Sequence, residues 1–245
     1  VSVIMPFYQK KNCLEESLNS VLNQSYKNLE IILINDEENI ETKKFLEKIS
    51  SKDSRIRLIN NNKNLGAGES RNRAIDVSEG EFIAFCDCDD LWKSTKLETQ
   101  LDFMKKLNFD FSFTAYEIIN EQGKVIGHRN AKKKIEFNNL LKSCDIGLST
   151  VIMNKKTFLN KELRFAHLKT KEDFVLWLKI SKSGLKLYGL NEKLSSWRKS
   201  PQSLSSSSIQ KLIDGYRVYR IYLNYSIFKS FIYLLILSLN FILKR

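Results

Sequence analysis

The sequence predicts an α/β domain with a mainly parallel sheet flanked by helices, followed by a helical tail. Three observations predict this. Apolar, β-branched runs alternate with amphipathic stretches over the first ninety residues; polar, glycine and acidic residues gather where those runs end; and an apolar, basic stretch closes the chain. At 245 residues the chain is long enough for one well-buried core. Its 42% hydrophobic and 28% charged content is that of an ordinary globular protein and excludes a disordered one. Two prolines and nine glycines argue against a linker-rich, multi-domain layout.

Taken in order, residues 1–5 form a continuous apolar run that Pro6 stops, which reads as a buried strand. Leu14, Leu18, Val21 and Leu22 then recur at helical spacing, with Asn12 as the expected N-cap and Glu15 three residues later. Residues 29–34 and 55–59 are two more strand-like runs, separated by a helical stretch at 43–49. A helix at 69–77 and a strand at 82–85 follow. Strands that alternate with helices imply parallel βαβ units, whose ligands bind at the carboxyl ends of the strands. Residues 6–8, 35–36, 64–68 and 87–90 are therefore the expected lips of one crevice. Further on, 109–119 and 124–128 read as a hairpin turning at 121–123, 170–181 as a helix, 186–190 as a short strand and 202–208 as a serine-rich loop.

Four cysteines (Cys13, Cys86, Cys88, Cys144) lie scattered among apolar residues, as reduced thiols of a cytosolic protein do. Cys86 and Cys88 are too close together for a zinc knuckle. From Lys182 onward there are eleven lysines and arginines but only two acids, a local +9 out of the chain's +12. Such an excess suits an anionic partner: a membrane surface, a nucleotide phosphate or nucleic acid. No nucleic-acid motif accompanies it and acids occupy the expected crevice, so no nucleic acid is expected as partner. No secretory signal is visible. In the tail, residues 226–243 are strongly apolar but interrupted by Lys229, Ser230, Ser238 and Asn240. That leaves too short a run to cross a membrane. An interfacial helix flanked by Lys229, Lys244 and Arg245 is expected, with a helix packed back onto the domain as the alternative.

The densest chemistry lies in Phe82-Ile83-Ala84-Phe85-Cys86-Asp87-Cys88-Asp89-Asp90. A buried strand here delivers three carboxylates at its carboxyl end, and alternation puts Asp87 and Asp89 on one side. Like charges so close need an offsetting cation or donors. Hard oxygen ligands suit Mg²⁺ or Mn²⁺ with positions open for substrate phosphates. The alternative is a solvated acidic turn in which Asp90 caps the next helix. A second element, Thr170-Lys171-Glu172-Asp173-Phe174, reads by pattern as a capping box with Thr170 as N-cap.

These motifs together resemble family 2 glycosyltransferases of the bacterial surface-polysaccharide type, inverting enzymes of the A-type nucleotide-sugar-binding fold, which is Rossmann-like. The resemblance covers at least residues 1–198. Residues 1–8 are similar to the opening strand and its Pro-x-Tyr turn, here Pro6 and Tyr8; residues 30–36 to the strand ending in paired aspartates; Asn64-Leu65-Gly66 through Arg71-Asn72 to the Asn-x-Gly…Ala-Arg-Asn segment; and Asp87-Cys88-Asp89 to the metal-binding Asp-x-Asp. Where the family commonly has Asp-Asp-Gly-Ser, this chain has Asn35-Asp36-Glu37-Glu38. The resemblance implies a donor site of Pro6, Tyr8, Asp36, Arg71, Asp87 and Arg198, the last as part of a late Trp197-Arg198 element that closes over the donor. It implies Mn²⁺ or Mg²⁺ on Asp89 with Asp87, and Asp173 as the general base. A helix N-terminus there would lower the pKa of Asp173 and keep it ionised.

The implied organisation is a glycosyltransferase domain over 1–205 (nucleotide-binding half 1–90, acceptor half 91–205) and a basic, apolar helical tail over 206–245. The implied reaction is inverting transfer of a hexosyl-type sugar from a nucleotide sugar, UDP-linked by the family's preference, to a glycan or lipid-linked acceptor. The setting would be cytoplasmic, on the inner face of the membrane. A sugar nucleotidyltransferase would share the half-sheet and the metal but ordinarily shows a glycine-rich loop after its first strand, where this chain has Pro6-Phe7-Tyr8-Gln9. A non-catalytic nucleotide- or nucleic-acid-binding protein is the remaining alternative.

Overall fold

The computed structural model describes residues 1–200 and 207–243. Strands β1 (Ser2–Phe7), β2 (Glu30–Asn35), β3 (Ile56–Asn60) and β4 (Phe82–Phe85) alternate with helices α1 (Lys11–Leu22), α2 (Ile40–Ser50) and α3 (Ala67–Val77). The four strands are parallel, in the order β3-β2-β1-β4. Successive side chains point to opposite faces, so Val3, Met5, Ile31 and Leu33 join one core while Ile4, Ile32, Ile83 and Phe85 join the other. Burial on both faces is why β1, β2 and β4 read as near-continuous apolar runs, whereas the edge strand β3 exposes Arg57.

Two boundaries differ from expectation. Pro6 does not stop β1 but lies inside it, in register with Ile34 of β2. Pairing with β4 covers only Ser2 to Ile4. The Ile4 carbonyl accepts from Cys86 on that side, and Pro6, two residues on, turns its missing N–H toward the edge that β4 has left. Asn12 is inside α1, whose cap position is Lys10 with no side-chain cap.

The second half widens the sheet: β5 (Leu91–Trp92), α4 (Lys96–Leu107), β6 (Phe111–Ile119), β7 (Val125–Arg129), β8 (Lys134–Ile135), α5 (Phe137–Leu140), a 3-10 turn at Leu148–Thr150, β9 (Ile152–Asn154), α6 (Lys155–Asn160), α7 (Glu172–Lys182) and β10 (Leu187–Arg198). The order continues β4-β9-β6-β10-β5, with β9 antiparallel to β4 and β6 while β6 and β10 run parallel. The β6–β7 hairpin forms as expected, its turn closed by Asn120 Oδ1 accepting from Gln122 and Lys124 and by Gly123 at φ 78°. The short strand expected at 186–190 instead runs to Arg198. Its polar middle reads as an end, but the strand passes it with register shifts between Leu190 and Ser195.

Helix α7 also begins later than expected. Its cap is Lys171, at φ 64°, and Thr170 is not an N-cap. Both the N–H and the hydroxyl of Thr170 donate to Asp214 Oδ2, each at 3.0 Å.

The tail comprises α8 (Ser208–Arg217), a π turn at Val218–Tyr222 and α9 (Ile227–Leu243). Of the loop expected at 202–208, residues 202–206 lie outside the described residues, as do Lys244 and Arg245. Ser207 caps α8 by accepting from Gln210. The inner side of the tail packs on the domain: Val218, Tyr219 and Leu237 enter the core, and the Tyr219 hydroxyl donates to the Leu141 carbonyl at 2.8 Å. Among the described residues no helix is long and apolar enough to cross a membrane.

A buried lysine lies on α4, outside the acidic loop. Lys96 is fully buried, with its ammonium 3.0 Å from Gln100 Oε1 and 4.1 Å from the centre of the Trp92 ring. Burial pushes its pKa down to about 7. Between that value and the lysine's ordinary 10.5 the unfolded chain holds the extra proton, so this residue makes stability rise with pH across that window. Lys96→Met is expected to match or exceed wild type in denaturant melts at pH 7, and to remove up to roughly 1.4 kcal/mol per pH unit from the wild-type slope above it. Equal slopes for the two proteins would refute this.

Candidate active site

The carboxyl ends of β1 and β2 and the start of the 61–66 loop surround an open cleft of about 280 Å³ lined by Tyr8, Gln9, Asp36, Glu37, Glu38, Asn39 and Asn64. Three of the four expected lips thus meet. Tyr8 presents a partly exposed ring, with half-buried Pro6 behind it in β1. Asp36 is 3% exposed, and both its carboxylate oxygens face inward. Oδ1 accepts from Asn61 Nδ2 at 2.7 Å and the Leu65 N–H at 2.8 Å, and Oδ2 accepts from the Gly66 N–H at 2.9 Å. Asp36 therefore fixes the backbone of the Asn64-Leu65-Gly66 segment, where Gly66 takes φ 83°. Glu37, which stands where the family usually has glycine, accepts from the Gln9 N–H at 2.5 Å and the Thr42 hydroxyl at 2.8 Å, tying the first loop to α2.

The fourth lip is the acidic loop after β4. Its three aspartates have different surroundings. Asp87 keeps 35% of its side chain exposed, and Oδ1 accepts from Arg71 Nη2 at 2.7 Å. Asp89 is 15% exposed and pairs through Oδ2 with Lys10 Nζ at 2.8 Å. Burial, reinforced by the neighbouring Asp87 charge, holds its carboxyl above the ordinary range. Asp90 is neither solvated nor a helix cap: it is 2% exposed and accepts from the Ser149 hydroxyl at 2.5 Å and the Arg198 N–H at 2.9 Å.

Arg71 connects this loop to the N-terminus of α7 in the second half. Its guanidinium is 4% exposed, lies 5.5 Å from the Phe165 ring, and donates through Nη1 to Glu172 Oε1 at 2.7 Å while Nη2 holds Asp87. Flanking carboxylates raise its pKa against the opposing effect of burial. Glu172 is pushed up to about 7, burial outweighing the Arg71 charge. The next residue, Asp173, accepts from the Phe174 N–H at 2.7 Å. Its pKa is raised, not lowered: the cost of burying the carboxylate exceeds what Arg71 and the helix N-terminus return. Asp173, Arg71 and Asp87 are close enough to act on one another electrostatically.

Arg198 arrives from the end of β10, buried to 4%, with its guanidinium engaged by the protein. Nε donates to the Asp89 carbonyl at 2.9 Å, Nη1 to the Glu121 carbonyl at 2.9 Å and Nη2 to Glu16 Oε2 at 2.6 Å. Together with its N–H on Asp90, these contacts hold the acidic loop from behind. Sequence reasoning did not find Lys10, Glu16, Ser149 or Glu172 as parts of the site. Only Glu172 carried a signal, as an acid at the head of an apolar helix. Asp87 and Asp89 match what Mg²⁺ takes from a protein, one or two hard carboxylates with phosphate and water completing the shell. Among the described residues no group of three or more His, Cys, Asp or Glu could hold a metal unaided.

Comparison with known proteins agrees with this geometry. Residues 2–163 match the family described as "Glycosyl transferase family 2". The chain is 38% identical over 214 residues to the Escherichia coli UDP-Glc:alpha-D-GlcNAc-diphosphoundecaprenol beta-1,3-glucosyltransferase WfgD, covering 86% of this chain and 82% of that protein. It is 33% identical over 221 residues to the putative teichuronic acid biosynthesis glycosyltransferase TuaG of Bacillus subtilis, covering 90% and 87%. In structure it is similar to S. aureus TarS 1-349 in complex with UDP-GlcNAc, with TM-score 0.73, 21% identity and coverage of 95% of this chain and 70% of that one. A mannosyltransferase from Pyrobaculum calidifontis, solved in complex with GDP-Man and Mn²⁺, superposes with TM-score 0.69 at 14% identity, covering 95% and 69%. The A-type fold is therefore established. With an acidic loop, a cleft at the carboxyl ends of β1 and β2, and a family match over residues 2–163, the chain belongs to glycosyl transferase family 2.

Proposed function

We propose that the enzyme transfers a hexosyl-type sugar from a UDP-sugar to a hydroxyl of a glycan or lipid-linked acceptor, inverting the anomeric centre, in synthesis of a bacterial surface polysaccharide. The observation that carries this reading is the Asp87–Arg71–Glu172 bridge, which sets the acidic loop of the donor half beside Asp173 of the acceptor half. The name of WfgD supports a lipid-linked acceptor, that of TuaG supports the polysaccharide setting, and WfgD and the TarS complex support UDP. Membership of a glycosyltransferase family favours transfer over nucleotidyl transfer or mere binding.

On this reading Tyr8 and Pro6 border the nucleoside, and Asp36 acts through the loop backbone that it fixes. Asp87 and Asp89 are the residues that would hold Mg²⁺ or Mn²⁺, and the ion, when bound, offsets the negative charge developing on the leaving diphosphate. Arg71 orients Asp87, and Arg198 fixes the loop that carries Asp89. Asp173 accepts the proton of the acceptor hydroxyl as its oxygen attacks the anomeric carbon from the face opposite the leaving group. The proposed division follows the same logic: 1–90 serves the donor, 91–205 the acceptor, and 206–245 forms the tail.

Thermal melting with a panel of nucleoside diphosphates and nucleotide sugars, with and without Mn²⁺, tests the donor site. At 100 times its dissociation constant a ligand stabilises by about 2.7 kcal/mol, which is a shift of roughly 5–11 °C for a chain of this size. UDP or a UDP-sugar with Mn²⁺ is expected to give that shift in wild type and not in Asp89→Ala. The absence of any nucleotide-dependent shift would overturn the donor reading.

A further inference from the structure

We infer that the outer faces of α8 and α9 form one docking surface for an anionic lipid bilayer. On α9, Phe228, Phe231, Leu235, Leu239 and Ile242 recur at three- and four-residue steps and so share one stripe. They are 50–76% exposed. On α8, Ile209, Leu212 and Ile213 repeat the pattern at 45–72% exposure. The helices touch where the Tyr216 ring lies 5.0 Å from Phe231 and where Lys211 stands over the Phe241 ring, which joins the two stripes. An apolar patch this extensive marks a partner surface.

Charge identifies the partner. The sole acid in residues 207–243 is Asp214, which is fully buried and faces Thr170, Gln210 and Arg217. The exposed cations Arg217, Arg220 and Lys229 therefore flank the ridge with no carboxylate on the tail's own surface. A second copy of this chain, docking face to face, would bring like charges together. A bilayer that contains acidic lipid offers hydrocarbon and negative charge at once. Helix α9, which over its described residues is not long and apolar enough to span, has the one-sided apolar exposure of a helix lying in the interface. This inference is separate from the donor reading, since it needs neither nucleotide nor metal.

Flotation of the full chain with vesicles, nucleotide absent, is the test. Binding to phosphatidylglycerol-containing vesicles is expected to exceed binding to pure phosphatidylcholine by at least about ten-fold and to weaken with added salt. The triple variant Phe228→Ser, Phe231→Ser, Leu235→Ser is expected to lose binding by at least about ten-fold while its melting temperature stays within about 2 °C of wild type. Arg220→Glu with Lys229→Glu is expected to abolish the preference for acidic lipid. Wild type that fails to float with acidic vesicles overturns the inference. A sedimenting dimer that the triple serine variant converts to monomer would assign the surface to a second copy and overturn it equally.

Discussion

Asp173→Asn is expected to lower kcat by about 10² to 10⁴ while leaving nucleotide-dependent stabilisation within error of wild type, because a positioned base acts on the acceptor and not on the donor. Asparagine keeps the size of the side chain and can still accept from the Phe174 N–H, so folding is preserved. The pH profile carries independent information. Burial raises the Asp173 pKa, so the ionised form that the proposed base role requires is lost as pH falls, and the acid limb of kcat/KM should lie above the ordinary range of an aspartate. Glu172 beside it, pushed up to about 7, takes up a proton in the same region, so the limb reports the pair jointly. Steady-state transfer from the donor selected by melting is the measurement. A kcat for Asp173→Asn within about three-fold of wild type would remove the residue from the base role.

The second large effect concerns stability. Arg71→Met leaves Asp87 and Glu172 facing the space of a 4%-exposed guanidinium without their cation. Breaking a buried pair on one side costs about 3–5 kcal/mol, and the exposure of Asp87 places this site at the low end. A melting temperature lower by roughly 6–12 °C is expected. Adding Glu172→Leu should recover part of the loss, because the stranded carboxylate is then gone, and the double-mutant cycle should show a coupling larger than about 0.5 kcal/mol. Additive single effects would show that the bridge is not a unit. Activity should fall in Arg71→Met as well, since Asp87 loses its fixed orientation.

The parallel half was legible because β1, β2 and β4 are buried on both faces and read as apolar runs, and the cleft follows from the rule that ligands bind at the carboxyl ends of such strands. Asp87 and Asp89 drew notice because like charges directly after a buried strand need an offsetting cation or donors, and Arg71 and Lys10 supply them here. What failed to show were partners brought in over long distances. Ser149 reaches Asp90 across 59 residues, and Arg198 reaches Glu16 across 182. Neither a serine in a turn nor a glutamate on α1 announces such a contact. The Thr170 cap was misread for the same reason: its hydroxyl has a competing acceptor 44 residues onward, and a nonlocal carboxylate overrode the local pattern. Arg198 was expected over the donor; the bulged strand carries it beneath the acidic loop, where the Asp89 and Glu121 carbonyls and Glu16 engage its guanidinium.

The contact between Thr170 and Asp214 has a bearing on which acceptors can be served. It ties α8 to the segment three residues before Asp173, and Tyr219 adds a second attachment to the Leu141 carbonyl. On the proposed roles of Asp173 and of the tail's outer face, a tail joined so closely to α7 works as a height gauge. Once its outer face rests on lipid, the altitude of Asp173 above the headgroups is set by rigid protein. Hydroxyls that stand at that altitude come within reach, and those nearer the bilayer or farther from it do not. For the proposed glycan acceptor, chain length then becomes a selection rule in its own right, independent of the sugar's shape.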